Sequence, residues 1–278
     1  MAYVERGTDR LALHIYPEPD TSSVYPLVVL WPAMGVPARY YGRFAAELRD
    51  AGLAVVVVDL RGTGASTPRP DRRSGYGYVE LAADVGAVLS ALADRRGPDR
   101  TGRPTVLLGH SLGGQACALH LAASDSSTVD GLVLVAAGLP WWRLYPGGSR
   151  YGLLGYSQAI VGTSALLRVW PGWTFGGRQA RGVMRDWGYT ARHGRYPVHV
   201  GGDLATVRTP VLAVSVDGDR YTPPPVVDHF TGLLGTAPVT RLHYTTAEAG
   251  APLDHFTWAR AGRPLARHVA AFASAFPR

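Results

Sequence analysis

One cysteine stands among 278 residues, and there is no lysine at all. A single thiol, Cys117, excludes an intramolecular disulfide, and no Cys/His cluster has the spacing of a zinc site. No apolar run approaches the ~20 residues of a membrane-spanning helix. The stretch from Met1 to Leu13 is charged and lacks the apolar core of a secretory leader. Neither a Walker loop, nor H-E-x-x-H, nor a calcium-binding loop of the EF-hand kind is present. These absences set the expectation of a soluble, cytoplasmic, globular protein that uses no metal and no cofactor. The length suffices to bury roughly 70–75% of the unfolded surface without covalent staples.

What is present falls into two patterns. Over the first 138 residues, strand and helix signals alternate. Leu27–Trp31 (LVVLW) and Leu53–Val58 (LAVVVV) are unbroken apolar runs, as strands buried on both faces require. Thr105–Leu108 and Gly131–Ala136 read the same way. Between them, Arg39–Asp50, Tyr78–Ala93 and Leu112–Ala123 carry apolar residues at helical spacing. Such alternation predicts a mostly parallel sheet with helices on both faces. Tyr3–Ile15 alternates more like antiparallel edge strands. The pattern resumes with a strand at Val211–Val216, a helix near Val226–Leu234, a strand at Val239–Tyr244, and a last helix from Trp258 to Phe276.

Residues 139–200 break the pattern. They hold five of the seven tryptophans and eight arginines against one acid, Asp186. The formal net charge of the whole chain is +7, and this segment supplies the excess. Glycines and prolines cut it into short pieces, so its aromatics are expected to pack on a neighbour or line a cleft. The predicted division is therefore a core of residues 1–138 and 201–278, with an inserted cap over 139–200. No nucleic-acid motif accompanies the arginines, so neither a nucleic-acid nor a membrane partner is expected.

The chemistry is carried by three loops. Gly109-His110-Ser111-Leu112-Gly113 fits G-x-S-x-G between a strand and a helix, which is where a nucleophile elbow belongs. A serine hydroxyl needs a base oriented by a carboxylate. Asp219 follows the Val211–Val216 strand, with Asp217 as its near competitor. His255 follows the last strand. The order Ser111, Asp219, His255 is that of serine, acid and histidine in α/β-hydrolases. Oxyanion donors are expected from the Leu112 amide and from the loop Pro32-Ala33-Met34-Gly35, where Met34 is preferred and Ala33 is next. Trp141, Trp142, His110 and Trp187 are the candidate substrate-binding residues.

Further residues make the likeness specific. Asp59-Leu60-Arg61-Gly62-Thr63-Gly64-Ala65-Ser66 matches a turn common in the α/β-hydrolase superfamily. Ala33-Met34-Gly35-Val36, Arg185-Asp186-Trp187 and His255-Phe256 with Trp258-Ala259-Arg260 resemble a poorly characterised bacterial branch related to serine aminopeptidases. The resemblance implies an eight-stranded α/β-hydrolase sheet with an inserted helical cap. It also implies a serine hydrolase acting on an ester, thioester or lactone of a small, largely apolar molecule. The alternative is an acyltransferase or cyclase that uses the same residues without net hydrolysis. Two departures stand out: Pro32-Ala33 replaces the frequent His-Gly, and Asp254 replaces the Gly that often precedes the histidine. The arginines of the segment are solvated surface, or some of Arg143, Arg150, Arg168, Arg178, Arg181 and Arg185 hold an anionic or carrier-linked acyl substrate.

Overall fold

The computed structural model describes residues 1–19, 25–93, 103–123 and 128–277. Eight strands form one sheet: β1 (Ala2–Arg6), β2 (Asp9–Ile15), β3 (Leu27–Trp31), β4 (Ala54–Val58), β5 (Thr105–His110), β6 (Gly131–Val135), β9 (Val211–Val216) and β10 (Val239–Tyr244). Two short strands outside it, β7 (Val169–Trp170) and β8 (Gln179–Ala180), pair with each other. The order in the main sheet is β1-β2-β4-β3-β5-β6-β9-β10. β1/β2 and β2/β4 are antiparallel and every other pair is parallel.

Every residue of β3, β4, β5, β6 and β9 is buried, because helices cover both faces. The period of two in a strand divides these runs between two cores. Val29, Val56, Leu107 and Leu134 pack towards the helices Tyr78–Ala91 and Leu112–Ala123. Their neighbours Val28, Val57, Leu108 and Val133 pack towards the helices Gly42–Asp50 and Arg263–Ser274. Two predicted helices are interrupted. Ala38–Tyr41 forms a separate 3-10 turn before the helix at Gly42, where the Ala38 N–H is claimed by the Asp59 carboxylate at 2.6 Å. Thr257–Arg260 is likewise a 3-10 turn, and the last helix restarts at Arg263 with Pro264 in its first turn.

Strand order reverses at β3, which lies between β4 and β5. In sheets of this kind, ligands bind at the carboxyl ends beside such a switch point. Trp31 pairs with Gly109, so the chain leaves β3 and β5 side by side there. Between β6 and β9 the chain lies outside the sheet. It forms the helix Ser149–Leu167, the β7/β8 ribbon and the helix Arg181–His193. The second of these helices buries Val183, Met184, Trp187 and Ala191. Its Asp186 accepts the Tyr78 N–H at 3.0 Å, which docks it on the first turn of the helix Tyr78–Ala91. No helix among the described residues is long and apolar enough to cross a membrane.

Candidate active site

β5 ends at His110 and the next helix begins at Leu112, so Ser111 alone makes the reversal. Its φ is +52°, a left-handed conformation that costs an L-residue roughly 1–2 kcal/mol. The surroundings enforce it. The Ser111 N–H donates to the Val135 carbonyl at 3.1 Å, and the Ser111 carbonyl accepts the Gly114 N–H at 3.0 Å. The flanking glycines are needed for close approach. A Cβ on Gly109 would lie 2.2 Å from the Gly114 Cα, and one on Gly113 would lie 2.2 Å from the Trp31 carbonyl oxygen.

The loop after β9 separates the two candidate acids. Asp219 Oδ2 lies 2.9 Å from His255 Nδ1. Asp217 instead meets His243 at 2.9 Å and the Thr246 N–H at 2.7 Å. Asp219 Oδ1 accepts the Tyr221 and Thr222 N–H groups at 2.8 and 2.9 Å, and Oδ2 accepts the Thr222 hydroxyl at 2.5 Å. Burial alone would raise the pKa of this carboxyl group. The bonds from His255 and Thr222 outweigh burial and hold it below the usual carboxylate value. Thr222 also comes within 3.3 Å of His255 Nδ1, so it braces both partners. Asp254 turns away from the imidazole to accept the Phe256 and Thr257 N–H groups, each at 2.7 Å.

After β3, the Ala33 N–H donates to the Tyr41 hydroxyl at 3.0 Å. No acceptor among the described residues takes the Met34 N–H. The Leu112 N–H belongs to the first turn of its helix, where donors have no intrahelical partner. Gly35, at φ +72°, lets this loop press against the ribbon, since a Cβ there would lie 2.2 Å from the Gly176 carbonyl oxygen. His110 is fully buried behind Ser111. Its Nδ1 meets the Tyr41 hydroxyl at 2.7 Å, and its ring centre lies 4.8 Å from that of His255. Burial, and then the neighbouring His255, push its pKa well below the ordinary histidine value, so it is neutral.

Ser111, His255, Met34 and Leu112 line one cavity of about 80 Å³, whose other walls are largely apolar and aromatic. The segment between β6 and β9 contributes Tyr145, Leu153, Phe175 and Trp187 to it. Phe175 packs 4.9 Å from the Trp187 ring and stacks 5.9 Å from Tyr221, which in turn lies 5.1 Å from His255. A second cavity of about 210 Å³ shares Ser111, His255 and Met34 and extends to Thr174, Gly176 and Phe256.

Not every expected residue reaches this space. Trp187 lines it. Trp141 instead packs on His229 at 5.1 Å and against Gly194. Trp142 packs on Tyr151 at 5.6 Å. The segment reaches the cavity instead through Pro140 and Tyr145, on either side of these two tryptophans. His110 backs the elbow and is not part of the lining. None of the six singled-out arginines lines either cavity; Arg220, beside Asp219, does. Tyr41, Tyr145, Phe175 and Thr222 were not apparent from sequence. Only Thr222, three residues after Asp219, stands where a carboxylate-binding turn could have been anticipated. No group of three or more metal-ligating side chains occurs among the described residues.

A family model described as serine aminopeptidase, S33 (Hydrolase_4), matches residues 23–197. That stretch includes Ser111 and ends before Asp219 and His255. An AB hydrolase superfamily protein of Bacillus subtilis (strain 168), YisY, is 35% identical over 107 residues, which is 38% of this chain and only 35% of that protein. A soluble variant of monoglyceride lipase from Saccharomyces cerevisiae superposes with a TM-score of 0.72 at 14% identity, covering 99% of this chain and 94% of that one. Est1E from Butyrivibrio proteoclasticus, solved with ferulic acid bound, gives 0.67 at 13% identity, covering 99% and 100%. At such identities the two structures show a common fold.

Proposed function

The chain belongs to the serine aminopeptidase (S33) family of α/β-hydrolases, and from that premise we propose that it is a serine hydrolase. Its substrate is an ester, thioester or lactone of a small, largely apolar molecule. One observation carries the reading. The Asp219–His255 pair, at 2.9 Å and braced by Thr222, opens on the same cavity as the strained Ser111. The names of the two fold neighbours, a monoglyceride lipase and Est1E with ferulic acid bound, support acyl esters as the substrate class.

In this reading the Ser111 hydroxyl attacks the acyl carbon while His255 Nε2 takes its proton. Asp219 fixes the imidazole orientation through Nδ1 and stabilises the imidazolium. The Met34 and Leu112 N–H groups hold the negative oxygen of the tetrahedral intermediate. Collapse breaks the acyl–oxygen or acyl–sulfur bond, and His255 returns the proton to the departing alcohol or thiol. Water, deprotonated by His255, then releases the acid from Ser111. Residues 139–200 act as a cap that gives the acyl group its apolar walls.

Labelling with a fluorophosphonate probe tests the assignment. Wild type is expected to label and Ser111→Ala to resist; equal resistance of both overturns it. A second reading, acyl transfer or ring closure, draws on the packing of Phe175 between Trp187 and Tyr221, since an apolar wall favours transfer over hydrolysis where it excludes water. Incorporation of an added alcohol or amine in preference to water would favour that route.

A further inference from the structure

A groove of about 400 Å³ lies beside the site, and three arginines line it: Arg39, Arg69 and Arg178. They come from the turn after β3, the loop after β4 and the residue before β8. The lining includes no carboxylate, and none of the three arginines forms an ion pair among the described residues. Three like charges around one space raise its potential, and a bound anion relieves that repulsion.

The groove is also preorganised. Arg69 Nη2 donates to the Gly64 carbonyl at 3.0 Å, and Arg178 Nε donates to the Pro70 carbonyl at 2.5 Å. Each tether uses one donor, fixes the guanidinium plane, and leaves the remaining N–H groups for a ligand. At Arg39 only the backbone is fixed, through the Ala38 N–H bond to Asp59, and its exposed side chain lines the groove. Asp59 is buried beneath the loop, its oxygens taken by the Ala38 and Ala65 N–H groups and by His14.

Gly35 and Gly177 line this groove, while Met34 and Gly176 line the larger cavity at Ser111. The two spaces thus share a wall one peptide thick. The narrower, apolar cavity on the other side suits an acyl chain. A departing half that leaves the larger cavity over the edge of that wall extends towards the arginines.

We propose that this groove binds a phosphoryl group carried on the alcohol or thiol half of the substrate. Three guanidinium forks converging from separate segments match the several oxygens of a phosphate better than a lone carboxylate. The phosphoryl group is held and not cleaved; only the acyl–oxygen or acyl–sulfur bond breaks. Its link to a departing half rests on the hydrolase reading, whereas the anion site does not.

Calorimetric titration of phosphopantetheine and of pantetheine into the Ser111→Ala protein separates the two claims. The phosphorylated probe should bind at least about tenfold more tightly, the equivalent of one charge-assisted hydrogen bond. Arg39→Gln/Arg69→Gln should abolish that preference. In wild type, kcat/KM for acetyl-phosphopantetheine over acetyl-pantetheine should exceed about ten and collapse towards one in the double variant. Both arginines are exposed, and Arg39→Gln alone serves if the double variant melts without cooperativity. Equal binding of the two probes overturns the groove. Inorganic phosphate that binds while the kinetic ratio stays near one overturns the link to the departing half. Tight binding of the phosphorylated probe by a wild-type protein that resists fluorophosphonate labelling overturns the hydrolase reading and leaves the groove.

Discussion

The Tyr41 hydroxyl accepts the Ala33 N–H at 3.0 Å and meets His110 Nδ1 at 2.7 Å. One phenol therefore ties the loop after β3 to the residue preceding Ser111. It also occupies the Ala33 N–H, whereas the Met34 N–H has no acceptor among the described residues.

Tyr41→Phe should expose the value of that tie. The variant leaves a buried N–H and a buried imidazole nitrogen without their partner, at a cost of about 1–3 kcal/mol. Denaturant unfolding measures this directly. The catalytic signature should be a fall in kcat of about tenfold or more with little change in KM, because oxyanion donors act mainly in the transition state. An unchanged kcat would show that the Ala33–Tyr41 bond does not position the loop.

Asp219 supplies a pH dependence. Against burial, the bonds from His255 and Thr222 hold its folded-state pKa below the usual value. A carboxyl group depressed on folding stabilises the native state above its unfolded pKa, near 4. That contribution is lost as pH falls through the lower, folded pKa. Thr222→Val removes one of the bonds, so the folded pKa rises and the stabilisation shrinks. Melting curves from pH 7 to pH 3 should show a smaller acid-dependent loss for Thr222→Val than for wild type. Asp219→Asn should remove this contribution altogether. Superimposable wild-type and Asp219→Asn pH profiles would refute the link.

How far the sequence disclosed this arrangement depended on the length of each signal. The buried strands announce themselves because runs such as Ala54–Val58 carry apolar residues on both faces. The elbow is equally legible, since Gly109 is required by the backbone of Gly114 close by in the chain, although Gly113 answers to the distant Trp31 carbonyl. The loop after β9 offers both Asp219 and Asp217, and the structure pairs Asp219 with His255 and Asp217 with His243. The cavity walls were only partly legible. Trp141 and Trp142 are expected at the cleft as aromatics of a segment cut into short pieces, but side-chain direction in an irregular segment has no periodicity to read. Phe175 and Tyr145 reach the cavity through tertiary packing that no local pattern encodes.

That difference yields a specificity prediction. Trp187 lines the apolar cavity and Trp141 does not. Trp187→Ala should enlarge the acyl space, and a panel of p-nitrophenyl esters should shift its optimum to longer chains. A change of one or two methylenes is worth about 1–3 kcal/mol in such a pocket, or roughly 10- to 200-fold in kcat/KM. Trp141→Ala should lower the melting temperature, through lost packing on His229 and Gly194, and keep the wild-type optimum. A shift in chain-length preference from Trp141→Ala alone would mean that the wrong wall has been assigned.

Asp186 connects the helix Arg181–His193 to the helix Tyr78–Ala91. It is fully buried and accepts the Tyr78 N–H at 3.0 Å, Arg185 Nε at 2.9 Å and His199 Nε2 at 2.9 Å. A carboxylate suits this place, because the first turn of the helix Tyr78–Ala91 presents unpaired N–H groups and the positive end of its dipole. Asp186→Asn keeps the shape but removes the charge. Arg185 and His199 are about half exposed and recover water, so the loss should come mainly from the buried bond to Tyr78, about 1–3 kcal/mol. The same helix carries Trp187 into the cavity. A loosened helix should therefore raise KM for apolar esters more than it lowers kcat, and speed proteolysis within residues 139–200. Wild-type melting together with wild-type KM would show that the helix Arg181–His193 is held without Asp186.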